Sequence, residues 1–310
     1  MTRCYSVIIA GYKDTSRQTL EGVLRQRTAP EVTFDVIMLD NTPDSRHADM
    51  VTDCFDSIVS EASRKLYVPH RIPGKSATQN KGIEQAQGTH CIFLDDDVLP
   101  EPDLVLRYDE AFQAHACAAV QGRVELMFVD GATPPAWLNN RFRLDLAEMD
   151  FGDAIIPFTM GLTGASMAFR ADVFETHGPF DERFGPARTG TLEDQEFSER
   201  IRAAGEVQLF WPGASVRHMI PPERLTVKSF AGIYFDVGFS DYLLSGHLVR
   251  GGPCKFAFYS LRKASAKALK AMWCLVRGRR ADAIHAYCEI HGVYAYWKQA
   301  LLQSRVMPPS

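Results

Sequence analysis

The chain has no Cys-x-x-Cys pair and no even set of cysteines. Its seven cysteines, at positions 4, 54, 91, 117, 254, 274 and 288, are scattered. That excludes a disulfide framework and a structural zinc knuckle, and points to a reducing compartment. No basic-then-apolar leader precedes the strand-like Ser6–Ile9, and no apolar run is long enough to cross a bilayer. A cytoplasmic protein is expected, with peripheral contact on the inner face of the membrane as the remaining membrane role. There is no internal repeat or low-complexity tract. No groove-reading motif accompanies the bases, so nucleic acid is not an expected partner. What remains is 310 residues with 46% hydrophobic content, enough for one large α/β domain plus a smaller appendage.

Charge is unevenly spread. The net charge of −4 is the sum of a +8 tail from Gly251 onward and a −12 remainder. A basic helical tail on an acidic body suggests contact with an anionic surface, and phospholipid fits better than nucleic acid. Along the first third, strand-like runs at Ser6–Ile9, Phe34–Leu39, Lys65–Val68 and Cys91–Leu94 alternate with helical spacing at Leu20–Leu24, Met50–Ile58 and Ser76–Gln87. Such alternation implies crossover connections and a doubly wound, mainly parallel α/β sheet flanked by helices. Further on, the pattern predicts a helix over Glu101–His115, a strand over Ala118–Leu126 and a helix over Glu193–Ala204. Two short strands are expected at Val207–Trp211 and Ser215–His218, followed by helices over Val227–Ser245 and Lys255–Leu302, the last broken at Gly278. The expected organisation is a domain over 1–250, with halves 1–125 and 126–250, and a helical extension over 251–310.

Several clusters carry chemistry. Asp95-Asp96-Asp97 follow an apolar strand, and adjacent carboxylates repel unless a cation joins them. Mg²⁺ or Mn²⁺ suits such oxygen ligands, with substrate phosphates completing the shell. Strand alternation directs Asp95 and Asp97 one way and Asp96 the other. Asp40 ends the second strand, so it shares the crevice at the carboxyl edge of the sheet. Glu193 and Asp194 open a helix behind Thr191. Favourable capping explains them fully, while the functional alternative is a general base. His218 is either a metal ligand or a hydrogen-bonded structural residue. Trp137 either stacks on a sugar or fills the rim of the core. Gly164, in a glycine-rich turn, allows close approach of a ligand or simply a tight turn.

Taken together, from Ser6 to about Leu244, these segments resemble inverting glycosyltransferase family 2, of the GT-A fold and bacterial polysaccharide type. The resemblance rests on Ser6–Ile9, Phe34–Asn41, Gly74–Gly82, Phe93–Asp97, Gly164–Arg170 with Gly178–Gly185, the Glu193-Asp194 pair and Pro221–Thr226. It implies a nucleotide-sugar-binding half over 1–125 and an acceptor half over 126–250. It also implies Asp194 as catalytic base, and nucleotide-sugar contacts from Ala10, Tyr12, Asp40, Gln79, Asn80, Asp95 and Asp96. Asp97 and His218 would hold the metal, Mn²⁺ or Mg²⁺, and Trp137, Gly164 and Glu193 would line the acceptor side. The implied partners are a nucleotide-sugar donor, UDP-sugar favoured, and a carbohydrate or lipid-linked acceptor. Gln79 replaces the arginine common before the Asn, and Ala10-Gly11 departs from the usual opening.

Three other classes share parts of this pattern. A dehalogenase-type phosphohydrolase uses Asp-x-Asp, but after its first strand. A nucleotidyltransferase has a glycine-rich opening with a following arginine, absent from Ala10–Arg17. A non-catalytic nucleotide-sugar-binding relative would not need Asp194. For the tail, apolar Phe256, Phe258, Tyr259, Leu261, Leu269, Met272, Trp273, Leu275 and Val276 are interleaved with bases. They suit either a membrane interface or packing on the domain or in a homodimer.

Overall fold

The computed structural model describes residues 2–245 and 252–304, with side chains described as far as Leu244 and again over Leu261–Leu301. Phe256, Phe258 and Tyr259 of the tail thus lie outside the described side chains. The chain divides into two compact units with interleaved boundaries. One takes the residues up to Met127 with Ala147–Glu182 and Glu193–Met219; the other takes Phe128–Leu146, Arg183–Leu192 and the described residues from Ile220.

The first unit is built on the expected alternation: β1 (Arg3–Gly11), α1 (Ser16–Leu24), β2 (Val32–Asp40), α2 (Ala48–Ser57), β3 (Arg64–Pro69), α3 (Lys75–Gln85) and β4 (His90–Asp95). β1 pairs in parallel with both β2 and β4, and β2 with β3. β1, β2 and β4 are almost wholly buried, because helices cover both faces of such a sheet. The order β3-β2-β1-β4 reverses direction between β1 and β4. That reversal opens a crevice beyond the carboxyl ends of those two strands, where Ala10 stands opposite Asp95.

The rest of the sheet is antiparallel. After β5 (Val98–Pro100), α4 (Leu104–Ala114) and β6 (Ala119–Phe128) come α5 (Asn140–Asp145), β7 (Ile156–Pro157), β8 (Met167–Arg170), α6 (Asp172–His177), α7 (Glu193–Ala203) and β9 (Gln208–Ile220). β8 pairs antiparallel with β4 and β6, and β9 with β5 and β7. The two short strands expected around Pro212-Gly213 are one thirteen-residue strand. Its outer pairings carry it past the proline. Five phenylalanines lock the helices to this half of the sheet. Phe93, Phe169, Phe174, Phe180 and Phe197 form one cluster, with contacting ring centroids 4.8 to 6.3 Å apart. Each aromatic contact contributes on the order of 1 kcal/mol beyond area burial.

The second unit is helical: α8 (Val227–Ser245), α9 (Gly252–Val276) and α10 (Arg280–Ser304), with a short 3₁₀ turn at Pro222–Leu225 before α8. α8 and α10 cross at glycines. A Cβ on Gly238 would stand 2.1 Å from the Gly292 carbonyl oxygen, so only glycine permits this approach. Trp137 belongs to this unit's core. It is nearly buried and meets Phe142 and Phe230 edge-on at 5.3 and 5.5 Å. Of the two readings of Trp137, the packing one describes its surroundings in this unit, where the ring lies among aromatic neighbours. Among the described residues no helix is long and apolar enough to cross a membrane.

Candidate active site

β4 ends at Asp95, and Asp96-Asp97 form the turn into β5. Strand alternation stops there, so the expected pairing of Asp95 with Asp97 is not what the chain adopts. The three carboxylates divide between two clusters, each built around one lysine.

The first cluster lies in the β1–α1 turn. Asp96 is buried and accepts from the backbone N–H groups of Tyr12 (2.5 Å) and Lys13 (2.6 Å) and from Ser16 Oγ (3.2 Å). It thus fixes the turn, and Tyr12 contributes its backbone while its ring remains exposed. Lys13 Nζ lies 2.5 Å from Asp97 Oδ2 and 3.6 Å from Asp96. β5 sets Val98 opposite His218 on β9, and the Met219 N–H donates to the Asp97 carbonyl at 2.8 Å. This register brings His218 Nε2 to 3.3 Å from Asp97 Oδ2, both residues being buried. Burial opposes charge on Asp97, yet His218 and Lys13 overcome it and hold the carboxyl below the usual range. For Asp96 burial prevails over Lys13, and its pKa is raised.

The second cluster joins Asp95 to the start of α7. Lys75 Nζ, at the start of α3, lies 2.8 Å from Asp95, 3.2 Å from Glu193 and 3.4 Å from Asp194. Asp194 also accepts from the Gly164 N–H at 2.6 Å and from Gln79 Nε2 at 3.3 Å. A Cβ on Gly164 would stand 2.4 Å from Lys75 Nζ and 2.7 Å from Asp194 Oδ2, so this glycine serves close approach of protein groups. Phe197, one turn beyond Asp194, anchors α7 in the phenylalanine cluster. Desolvation raises the pKa of both carboxylates: Glu193 reaches about 7, and Lys75 partly restrains Asp194. Burial works against charge on Lys75, and Asp194, Asp95 and Glu193 outweigh it, raising the ammonium pKa. Formally the two clusters hold five carboxylates against two ammonium groups, a net −3.

Other expected residues stand elsewhere. Asp40 is fully buried and spends its oxygens on Thr42 N and Oγ1, His47 N and Tyr67 OH. Burial would raise its pKa, but these four donors lower it. It organises the loop after β2 and presents no accessible oxygen to a base. Asn80 clips the loop before α7, donating to the Phe180 carbonyl at 3.0 Å and accepting from the Phe180 N–H at 2.9 Å. Ala10 is half-buried beside Asp95. Lys13 and Lys75 were not singled out from the sequence. The signal available was the need for counter-charge wherever so many acids converge.

A strand-order reversal with a carboxylate turn at its mouth, facing a buried acidic helix start, is the site of an α/β fold of GT-A architecture. The model described as Glycosyltransferase like family 2 matches residues 2–231, and the chain belongs to that family. Among solved structures it is similar to the mannosyltransferase PcManGT from Pyrobaculum calidifontis, in complex with GDP-Man and Mn²⁺. The identity is 14% over 100% of this chain and 77% of that one, with a TM-score of 0.57. S. aureus TarS 1-349 in complex with UDP is 15% identical over 99% of this chain and 92% of that one, with a TM-score of 0.51. GalNAc-T7 with UDP, GalNAc and Mn²⁺ is 15% identical over 76% of this chain, which spans 48% of its length, with a TM-score of 0.53. No curated protein matches the sequence.

Proposed function

We propose that the protein is a cytoplasmic, metal-dependent, inverting glycosyltransferase of glycan or polysaccharide synthesis. It transfers a sugar from a nucleoside-diphosphate donor, UDP-sugar favoured, to a hydroxyl of a carbohydrate or lipid-linked acceptor. The observation that carries this reading is the Asp95–Asp97 run shared between two lysine-centred clusters with a net acidic charge. An anionic diphosphate enters such a site only together with added positive charge. The six described cysteines are all free thiols, which fits a reducing compartment. UDP in two of the solved relatives supports the choice of base.

The residues present fit a divalent cation. Asp97 and His218 offer a carboxylate and an imidazole side by side, and the Lys13 ammonium already sits on the Asp97 carboxylate. Among the described residues no set of three or more His, Cys, Asp or Glu could hold a metal. Two protein ligands with donor phosphates completing the shell is the usual arrangement for a hard cation. When bound, the cation stabilises negative charge building on the leaving diphosphate. Asp96 holds the β1–α1 turn against the donor, and Asp95 ties the donor side to the acid–base cluster through Lys75.

Asp194 takes the proton of the acceptor hydroxyl as that oxygen attacks the anomeric carbon. The bond from that carbon to the diphosphate oxygen breaks in the same step, and the configuration inverts. Gly164 N–H, Gln79 and Lys75 fix the orientation of Asp194, and burial, with the charge of Asp95, raises its proton affinity. The departing diphosphate needs no proton, so one base suffices. A thermal-shift panel of nucleoside diphosphates with and without Mn²⁺ tests the division of labour. UDP with Mn²⁺ should stabilise the wild type and Asp194→Asn, and should not stabilise Asp97→Ala. A UDP shift independent of metal would count against the reading. Proton NMR of the product's anomeric centre tests inversion.

A further inference from the structure

Among the described residues, α9 carries a dense group of large exposed apolar side chains. Leu261, Leu269, Met272, Trp273, Leu275 and Val276 are between 50% and 86% exposed on sixteen residues of one helix. At 3.6 residues per turn, Leu261, Leu269, Met272, Leu275 and Val276 share one side, and Trp273 stands at its edge. The opposite seam is small and settled. Cys274 is buried, Ala264 and Ala271 are half-buried, and Lys267 donates to Glu289 of α10. The helix therefore packs on α10 with its small residues and turns its large ones outward, the reverse of an ordinary surface helix. The outward apolar face was one of two alternatives left open by sequence; the seam shows that packing on α10 does not consume it.

The charges around this face are of one sign. From Leu261 to Arg280 the chain has Arg262, Lys263, Lys270, Arg277 and Arg280, together with Lys267 and Arg279, which pair with Glu289 and Asp282 of α10, and no acidic residue. Lys263, Lys270 and Arg277 form a stripe beyond Trp273, and the guanidinium groups of Arg277 and Arg279 lie 5.3 and 5.7 Å from the Trp273 ring. An apolar face, an edge tryptophan and a basic flank are the signature of a helix lying in the plane of a bilayer interface. A second copy of the same face would bring these cations against one another, whereas an anionic lipid surface complements them. The helix is too short of apolar length to span instead.

We propose that α9 from Leu261, with the turn after it as far as Arg280, docks the protein in plane on an anionic phospholipid surface. This stands apart from the reading of the active site and survives its failure. The test uses the full chain and vesicle flotation, comparing phosphatidylcholine alone with phosphatidylcholine containing phosphatidylglycerol. The protein should float only with the anionic vesicles. Leu269→Glu with Trp273→Glu, both exposed and away from the α10 seam, should reduce bound protein by about 10-fold or more at unchanged melting temperature. Leu275→Glu with Val276→Glu, near the helix end, provides an independent pair should the first pair perturb folding. Equal flotation with neutral and anionic vesicles would overturn the proposal. So would wild-type flotation retained by both folded pairs, or a dimer in light scattering that both pairs split while vesicle binding stays absent.

Discussion

Lys75 is the only cation within reach of Asp95, Glu193 and Asp194 among the described ion pairs, and that makes it the most consequential single side chain of the acid–base cluster. Lys75→Met removes it while keeping its length, leaving buried carboxylates uncompensated at a cost of about 3–5 kcal/mol. The loss should be smaller at pH 6 than at pH 8, because the carboxylates can then neutralise themselves by taking up protons. The sign follows from Glu193, whose pKa rises from 4.5 to about 7 on folding. Its contribution to stability is fully present below the ordinary value and is lost as pH rises through about 7. Urea denaturation at the two pH values checks this, and an equal loss at both would contradict it. Activity runs the other way, since Asp194 must be ionised to accept a proton. The rate should climb along an acid limb that lies above the ordinary carboxylate range and belongs to the Glu193–Asp194 pair. Glu193→Gln should move that limb to lower pH, and Asp194→Asn should cut kcat by about 10²–10⁴ with UDP affinity retained. A limb unmoved by Glu193→Gln would remove Glu193 from the account. Asp194 was legible in the sequence as an acid at a helix start. Lys75 and Lys13 were not, because a lysine's partners are set by elements distant in the chain.

At the scale of elements, α7 is held by its apolar stripe rather than by its polar majority. Phe197 is buried and its ring stacks on Phe174 at 5.1 Å. Phe197→Ala should cost about 3–5 kcal/mol and lower kcat with it, since the base rides one turn away. Phe197→Leu should restore most of both, as measured by calorimetry and transfer rate. Loss of stability with kcat unchanged would show that the base does not depend on this anchor. Gly238 sets two effects against each other. Alanine in a helix interior gains about 1 kcal/mol over glycine, but here its Cβ would meet backbone at Gly292, which cannot rotate away. Overpacking of this kind costs about 1–3 kcal/mol, so Gly238→Ala should lower the melting temperature; a rise would show that α8 and α10 can part. β1, β2 and β4 were legible because buried parallel strands write continuous apolar runs. β5 was not, since three residues carry no period, and yet its register with β9 is what places His218 beside Asp97. The same limit hid the true company of Asp96, whose partners sit in a turn where alternation no longer applies.

The molecule as a whole separates its two chemistries along the chain. Every side chain of the two lysine-centred clusters belongs to the first unit, whereas the basic apolar face of α9 belongs to the second. The charge leans the same way: residues 1–250 carry −12, and residues 251–310, all in the second unit, carry +8. Two ligands of opposite needs should therefore leave separate footprints in hydrogen exchange. UDP with Mn²⁺ should slow exchange around Tyr12–Ser16, Asp95–Val98 and Arg217–Met219, where the donor-side cluster is assembled. Anionic vesicles should slow it around Leu261–Arg280 and leave those three segments alone. Raising salt from about 0.1 to 1 M shortens the screening length from about 10 to 3 Å. It should weaken the vesicle footprint far more than the nucleotide footprint, because the α9 cations are exposed while Asp97 and His218 are buried. If nucleotide protected α9, or vesicles protected the Asp95–Val98 turn, the two sites would be coupled, and the lipid surface would have to be counted among the elements that set donor binding.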